Sequence, residues 1–173
     1  MKRILLDTNV YGKLVEDTFI FPLLLDQKTC NNLVVYGTDV IRKELRAISK
    51  KATDKKGQKI RLYTLYVYDN LITKANHTLR VNNFIDGLAQ LYMDEYKRSG
   101  GGVGEAEIKN DFLIVACATL HNLDIVISDD KRTMLSTAAL AAYKWVNQKQ
   151  GFQNPNYMHY ITFRDKLLKK GGI

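Results

Sequence analysis

Four acidic positions stand where solubility alone does not explain an acid. Asp7 ends the short apolar run Arg3–Leu6, and Asp129-Asp130 close the run Ile125–Ser128. If both runs are parallel strands, these acids project from one edge of a sheet, beyond the carboxyl ends, where such sheets gather functional groups. An Asp after a strand also often caps a helix or makes a turn, so Asp7 alone has a plain structural reading too. Glu44 is more telling. On a wheel of about 100° per residue it falls within the arc of Val40, Ile41, Leu45, Ala47 and Ile48, away from Arg42, Lys43, Arg46, Ser49 and Lys50. A carboxylate on the inward side is costly unless it is paired or binds a metal. Asp111 heads the run Phe112–Ala118 and is expected to enter a buried helix at its amino end, where the helix dipole favours an acid. Taken singly, capping accounts for Asp111 and an internal salt bridge for Glu44. As a cluster these acids repel one another, and cations are then required. Oxygen-only donors suit Mg²⁺ or Mn²⁺ rather than zinc. The three histidines, His77, His121 and His159, are scattered along the chain and suggest no metal site.

Short apolar runs separated by helical periodicity must position these acids. Arg3–Leu6, Leu33–Tyr36 (closed by Gly37) and Ile125–Ser128 read as buried parallel strands, with Thr78–Val81 and Met158–Thr162 as weaker candidates. Thr38 can cap a helix running to about Ser49, and Asn82 or Asn83 can start another. Asp111–His121 is apolar almost all round and reads as a buried helix, and Met134–Val146 as an alanine-rich one. The polar, basic segment Ser49–Lys59 reads as an exposed loop, and Ser99–Gly104, with four glycines, as a flexible connection. No repeat or domain boundary interrupts the chain. The expectation is an α/β fold: one doubly wound, three-layer domain over residues 1–173 with a central parallel sheet.

The 173 residues suffice for one sizeable core. Lys and Arg number 26 against 18 Asp and Glu, a net charge of +8. Such a field favours polyanions, of which a phosphate backbone is the commonest, although a generally solvated basic surface has the same composition. Cys30 and Cys117 lie in apolar stretches without a CxxC pair, as buried reduced thiols do. No run approaches the roughly 20 apolar residues of a membrane span, and the first apolar run is too short for a signal peptide. A cytoplasmic protein without membrane contact is expected.

Four segments in order carry a family resemblance: Leu6-Asp7-Thr8-Asn9, Val40-x-x-x-Glu44-Leu45, Asn110-Asp111-Phe112-Leu113-Ile114-Val115-Ala116 and Ile127-Ser128-Asp129-Asp130. Together they resemble the PIN-domain nucleases, and most closely the VapC-type toxins of VapBC toxin–antitoxin systems and stand-alone archaeal-type PIN proteins. Each motif is weak; their order and spacing, from Asp7 to about Phe163, are specific. The resemblance implies a PIN-like fold and a metal-dependent endoribonuclease that hydrolyses RNA with Mg²⁺ or Mn²⁺. Asp7, Glu44, Asp111 and Asp130 would be the catalytic, metal-holding acids. Asp129 beside Asp130 makes the fourth ligand ambiguous, because the family's T/S-x-D/N pattern selects Ser128 and Asp130. Asn9 and Ser128 would orient carboxylates through hydrogen bonds, and Glu105 and Glu107 fit an ordinary solvated helix start. An antitoxin protein and a second copy of the chain are the protein partners the resemblance implies. The region at about 50–104 is longer than in compact toxins.

Other readings share parts of this pattern. A housekeeping RNA-processing nuclease would have the same site. A degenerate PIN module would bind RNA or protein without cutting, which the full acidic set argues against. A receiver-like domain needs an acidic pair after its first strand, and Asp7 is followed by Thr8 and Asn9. Gly100–Gly104 lacks the Gly-Lys-Ser/Thr of a phosphate loop.

Overall fold

In the computed structural model, which describes residues 1–26, 32–54, 57–72 and 74–169, the apolar runs form a five-stranded sheet. The strands are β1 (Lys2–Leu6), β2 (Leu33–Thr38), β3 (Thr78–Leu79), β4 (Ile125–Ile127) and β5 (Asn156–Met158). Their order is β3-β2-β1-β4-β5, and every pairing is parallel. The chain therefore winds outward from β1 in one direction, then returns across it to build the other half. Reversal between β1 and β4 makes a topological switch point, and the residues after those strands face each other there.

Parallel strands cannot be joined by tight turns, so helices cross between them. They are α1 (Thr8–Glu16), α2 (Ile20–Leu25), α3 (Asp39–Ala47), α4 (Ile60–Leu71), α5 (Asn83–Arg98), α6 (Glu105–Leu120), α7 (Thr137–Gln150) and α8 (Tyr160–Leu168). Helix α4 packs on α1, α2 and α3, whereas α5 packs on α6 and α7. Right-handed crossovers put these two groups on opposite faces of the sheet, completing three layers. Ile4, Leu5 and Leu6 of β1 and Val126 and Ile127 of β4 are fully buried between them. On α6, Phe112 to Thr119 are all buried, which explains why this helix is apolar all round.

Several boundaries differ from the expectation. Strand β2 does not stop before Gly37: it continues to Thr38 and pairs there with β3. The glycine lets α4 close on the strand, since a Cβ at position 37 would clash with Tyr68 Oη and Ile72 Cδ1. Met158–Thr162 is not one strand. Pairing ends at Met158, His159 is the extended N-cap, and α8 starts at Tyr160, whose backbone N–H donates to Asp129 Oδ1 at 3.0 Å. Helix α6 starts at Glu105 and α7 at Thr137, behind the Ser136 cap. The glycine-rich connection folds back on Tyr96, whose hydroxyl accepts from the Val103 backbone at 3.1 Å. Helices α1, α2, α4 and α8 go beyond the sequence reading. Cys117 is a free, buried thiol, as expected, and Cys30 lies outside the described residues.

Candidate active site

Asp7 leaves β1 at the switch point with only 4% of its surface exposed. Its carboxylate is held from three sides. Oδ1 accepts from the Thr8 backbone N–H at 2.7 Å, while Oδ2 accepts from Ser128 Oγ at 2.7 Å and from Asn9 Nδ2 at 2.5 Å. The same Asn9 amide donates to Ser128 Oγ at 3.1 Å, and Asn9 Oδ1 accepts from the Asp129 backbone at 3.2 Å. Asn9 and Ser128 thus tie the end of β4 to the start of α1, and both lock Asp7.

Glu44 reaches the same edge from α3. The Thr38 hydroxyl fixes the start of that helix, accepting from the Ile41 backbone at 3.1 Å. Ile41 and Leu45 anchor the helix in the core, leaving Glu44 half-buried between the faces. Its Oε2 accepts from the Thr8 hydroxyl, and its Oε1 accepts from Asn110 Nδ2 at 2.7 Å. Thr8 and Asn110 are partners that a sequence cannot reveal, because each bond joins separate elements. The only hint is that each is the immediate neighbour of a candidate acid.

Asp111 is not a helix cap. Helix α6 begins six residues before it, so Asp111 lies in the second turn, where no orphan N–H group awaits it. Its Oδ2 is buried and has no hydrogen-bond partner among the described residues. Glu105 and Glu107 occupy the first turn and pair with Lys97 and Arg132, as an ordinary solvated helix start would.

The two consecutive acids after β4 diverge. Asp130 folds inward: its backbone N–H donates to Ser128 Oγ at 3.1 Å, and its Oδ1 accepts from the Arg132 and Thr133 backbones, both at 2.9 Å. Asp129 turns the other way. Its carboxylate is engaged by Lys13, by the His159 ring at 3.2 Å and by the Tyr160 backbone at 3.0 Å.

Electrostatics bind the remaining acids into one group. Burial pushes Asp7 up to about 6; Glu44 and Asp130 raise it further, against the hydrogen bonds from Ser128 and Thr8. Burial likewise pushes Asp111 up to about 7, reinforced by Asp7, Asp130 and Glu44 and only partly offset by Thr133. For Asp130, burial also opposes ionisation, but the donors of Thr133 and Arg132 outweigh it and hold the carboxyl below its ordinary range. Asp7, Glu44, Asp111 and Asp130 therefore share one electrostatic neighbourhood. Among the described residues, no three carboxylate, His or Cys groups already close round a single point that an ion could occupy. The unpartnered Asp111 oxygen and the mutual repulsion nonetheless fit a cation: a positive charge there would relieve both.

No protein-family model matches the chain, and no curated protein sequence does either. Solved structures do. The chain is similar to one in VapBC2 from Rickettsia felis bound to a promoter DNA fragment: 13% identity, a TM-score of 0.59, 91% of this chain and 98% of the other covered. DNA-bound VapBC from Salmonella typhimurium gives 14% identity and a TM-score of 0.55 over 92% and 98%. FitAcB from Neisseria gonorrhoeae gives 20% and 0.51 over 79% and 92%. The VapC and FitB components of such complexes are PIN-domain toxins. With its parallel sheet, its switch point between β1 and β4 and its flanking helices, the chain has a VapC-like PIN fold.

Proposed function

We propose that the protein is a metal-dependent endoribonuclease acting as the toxin of a toxin–antitoxin pair, residues 1–173 forming one PIN-like unit. The observation that carries this reading is the unpartnered, buried Asp111 Oδ2 among three further acids. Asp7, Glu44, Asp111 and Asp130 would hold Mg²⁺ or Mn²⁺, with Asp130 rather than Asp129 as the fourth acid, because Asp129 is already engaged by Lys13, His159 and Tyr160. When bound, the ion would supply Lewis acidity at a scissile phosphate and acidify the attacking water. The chain's own residues do the positioning. Ser128 and Asn9 hold Asp7 in one orientation, and Thr8 and Asn110 grip both oxygens of Glu44.

The +8 charge supports RNA as the substrate. Lys43, Arg46, Lys50 and Lys51 are exposed on and just beyond α3, the helix that carries Glu44, and can follow a phosphate backbone without reading bases. For an antitoxin, the supporting surface is apolar and aromatic: Leu62, Tyr63 and Tyr66 of α4 are exposed, and Phe21 packs edge-on to Tyr66 at 6.1 Å. For a homodimer it is α5, where exposed Phe84 and Leu91 lie seven residues apart on one outward face. No helix among the described residues is long and apolar enough to cross a membrane, and we place the protein in the cytoplasm.

The test is cleavage of a mixed RNA pool with Mg²⁺ or Mn²⁺, with chelator, and with Asp111→Asn. Cutting should need metal and fall by orders of magnitude in the variant, while circular dichroism stays unchanged. Full activity in chelator or in the variant removes the assignment.

A further inference from the structure

Beside the carboxylates lies a cavity whose chemistry phosphate hydrolysis does not use. It measures about 410 Å³ and opens between α3, the segment after β3, and α6. One end is formed by Glu44 and Asn110, the pair joined by the 2.7 Å hydrogen bond at the edge of the acidic group. The rest of the lining is Val40, Ala47, Val81 and Leu113, which are apolar, together with Asp39 and Lys43. The wall is fixed in place: both Asp39 carboxylate oxygens accept from the Val81 backbone at 3.3 Å, tying the segment after β3 to the first turn of α3.

An anionic, hydrated phosphodiester gains nothing from aliphatic walls. The part of a nucleic acid that does gain is the base, with two largely apolar faces and a polar edge. The volume falls within the roughly 300–1,000 Å³ of small-molecule sites, and apolar walls with a few polar groups at one end are their usual construction. Here the polar groups are Glu44, Asn110, Lys43 and Asp39, the last engaged with the Val81 backbone. Asn110 donates one amide N–H to Glu44, and its Oδ1 can accept from a base edge. Lys43, exposed and in the lining, supplies a cation for the backbone of a bound strand.

We propose that this cavity is a nucleobase subsite, which receives the base of a single-stranded RNA nucleotide adjoining the phosphate held at the carboxylates. The substrate would then be chosen by one base as well as by its backbone. This rests on the ribonuclease reading, and the experiment separates the two.

Ala47 is the position to alter, because it is exposed on α3 and a larger side chain there fills the cavity without entering the core. Binding of a short single-stranded RNA is measured in chelator, where nothing is cut, against the same backbone made abasic. The wild-type protein should prefer the base-bearing strand by about tenfold, as burial of the base's apolar surface against aliphatic walls gives. Ala47→Phe should lose that preference, bind the abasic strand as the wild type does, and melt at the same temperature; Ala47→Ser should keep the preference. With metal, the wild type should cut a mixed RNA with a bias for one base at a fixed position, and Ala47→Phe should flatten the bias. Equal wild-type affinity for the two strands overturns the subsite, and so does a preference that survives Ala47→Phe. A shift of Ala47→Phe from dimer to monomer in sedimentation also overturns it, by showing that a second copy covers the cavity. If the wild type never cuts RNA with Mg²⁺ or Mn²⁺, the nuclease reading falls while the binding measurements still decide the subsite.

Discussion

The Ser128 hydroxyl donates to Asp7 Oδ2 at 2.7 Å across the β1–β4 boundary, joining residues 121 apart in sequence. Both residues are buried, so water cannot replace the bond. Ser128→Ala removes a donor from a carboxylate and an acceptor from Asn9 and from the Asp130 backbone. Hydrogen bonds to charged groups contribute roughly 1.5–3 kcal/mol, so the variant should lose about that much stability above neutral pH. Because the lost bond favours the ionised form, Asp7 should become harder to ionise still. The Mn²⁺ concentration for half-maximal cleavage should therefore rise more at pH 6.5 than at 8.5. An equal shift at both would show that Ser128 does not act through Asp7.

Metal-free stability should depend on pH in an unusual direction. Asp7 is pushed up to about 6 and Asp111 to about 7, both mainly by burial. From the ordinary carboxylate range up to those values, the folded state keeps protons that the unfolded chain has released. The contribution of these groups to stability is thus complete at low pH and is lost as pH rises through about 4–7. Asp111→Asn removes one such charge, and its advantage over wild type should grow across that window to roughly 1–3 kcal/mol at pH 8. Melting in chelator at several pH values measures this. A variant less stable than wild type at pH 8 would show that Asp111 is satisfied by an interaction outside the cluster.

Sequence alone made the acids legible because burial of a charge violates a strong rule: Glu44 on an apolar arc and Asp7 at a strand end both stood out. The sheet was legible for a related reason, since strands covered on both faces must be continuously apolar. What sequence could not supply is what crosses between elements. Thr8 and Asn110 are ordinary polar residues until α1 and α6 bring them to Glu44. Asp111 reads as a helix start because the unbroken apolar run begins after it, yet Glu105–Asn110, a mixed stretch with only Ile108 buried, precedes it in the same helix. Asp129 and Asp130 were indistinguishable as letters and are separated only by the backbone turn that sends one inward.

Gly37 is where fold and site meet mechanically. A methyl group there would strike Tyr68 and Ile72 of the α4 region, and the Tyr68 hydroxyl donates to the Thr38 carbonyl at 3.0 Å. Thr38 in turn caps the helix bearing Glu44. Gly37→Ala should cost roughly 1–3 kcal/mol by overpacking. Tyr68→Phe should soften the penalty only slightly, since the ring carbon Cζ would still lie 2.7 Å from the new Cβ. Denaturant titration of the single and double variants measures the coupling. An unchanged midpoint for Gly37→Ala would mean that α4 yields freely.

The last prediction separates the two neighbouring acids. Asp129 is held below the ordinary carboxylate range: burial opposes ionisation, but Lys13, the Tyr160 backbone and His159 prevail. Its work is to anchor the start of α8 and to meet Lys13, a pair exposed enough to contribute no more than about 1 kcal/mol. Asn at position 129 can still accept from the Tyr160 backbone, so Asp129→Asn should lower stability by roughly 1 kcal/mol or less and leave cleavage within a few-fold of wild type. Asp130→Asn can likewise still accept from the Arg132 and Thr133 backbones and should fold. It removes a negative charge that Asp7 and Asp111 both feel, so their carboxyls should ionise more readily. Even so, cleavage should fall by orders of magnitude at saturating RNA and need more Mn²⁺, because a metal-holding acid is lost. Lys13→Ala is the control, matching Asp129→Asn in stability and in activity. Were Asp129→Asn to abolish cutting at unchanged stability while Asp130→Asn did not, the fourth acid would be Asp129, with Lys13 holding its place until metal binds.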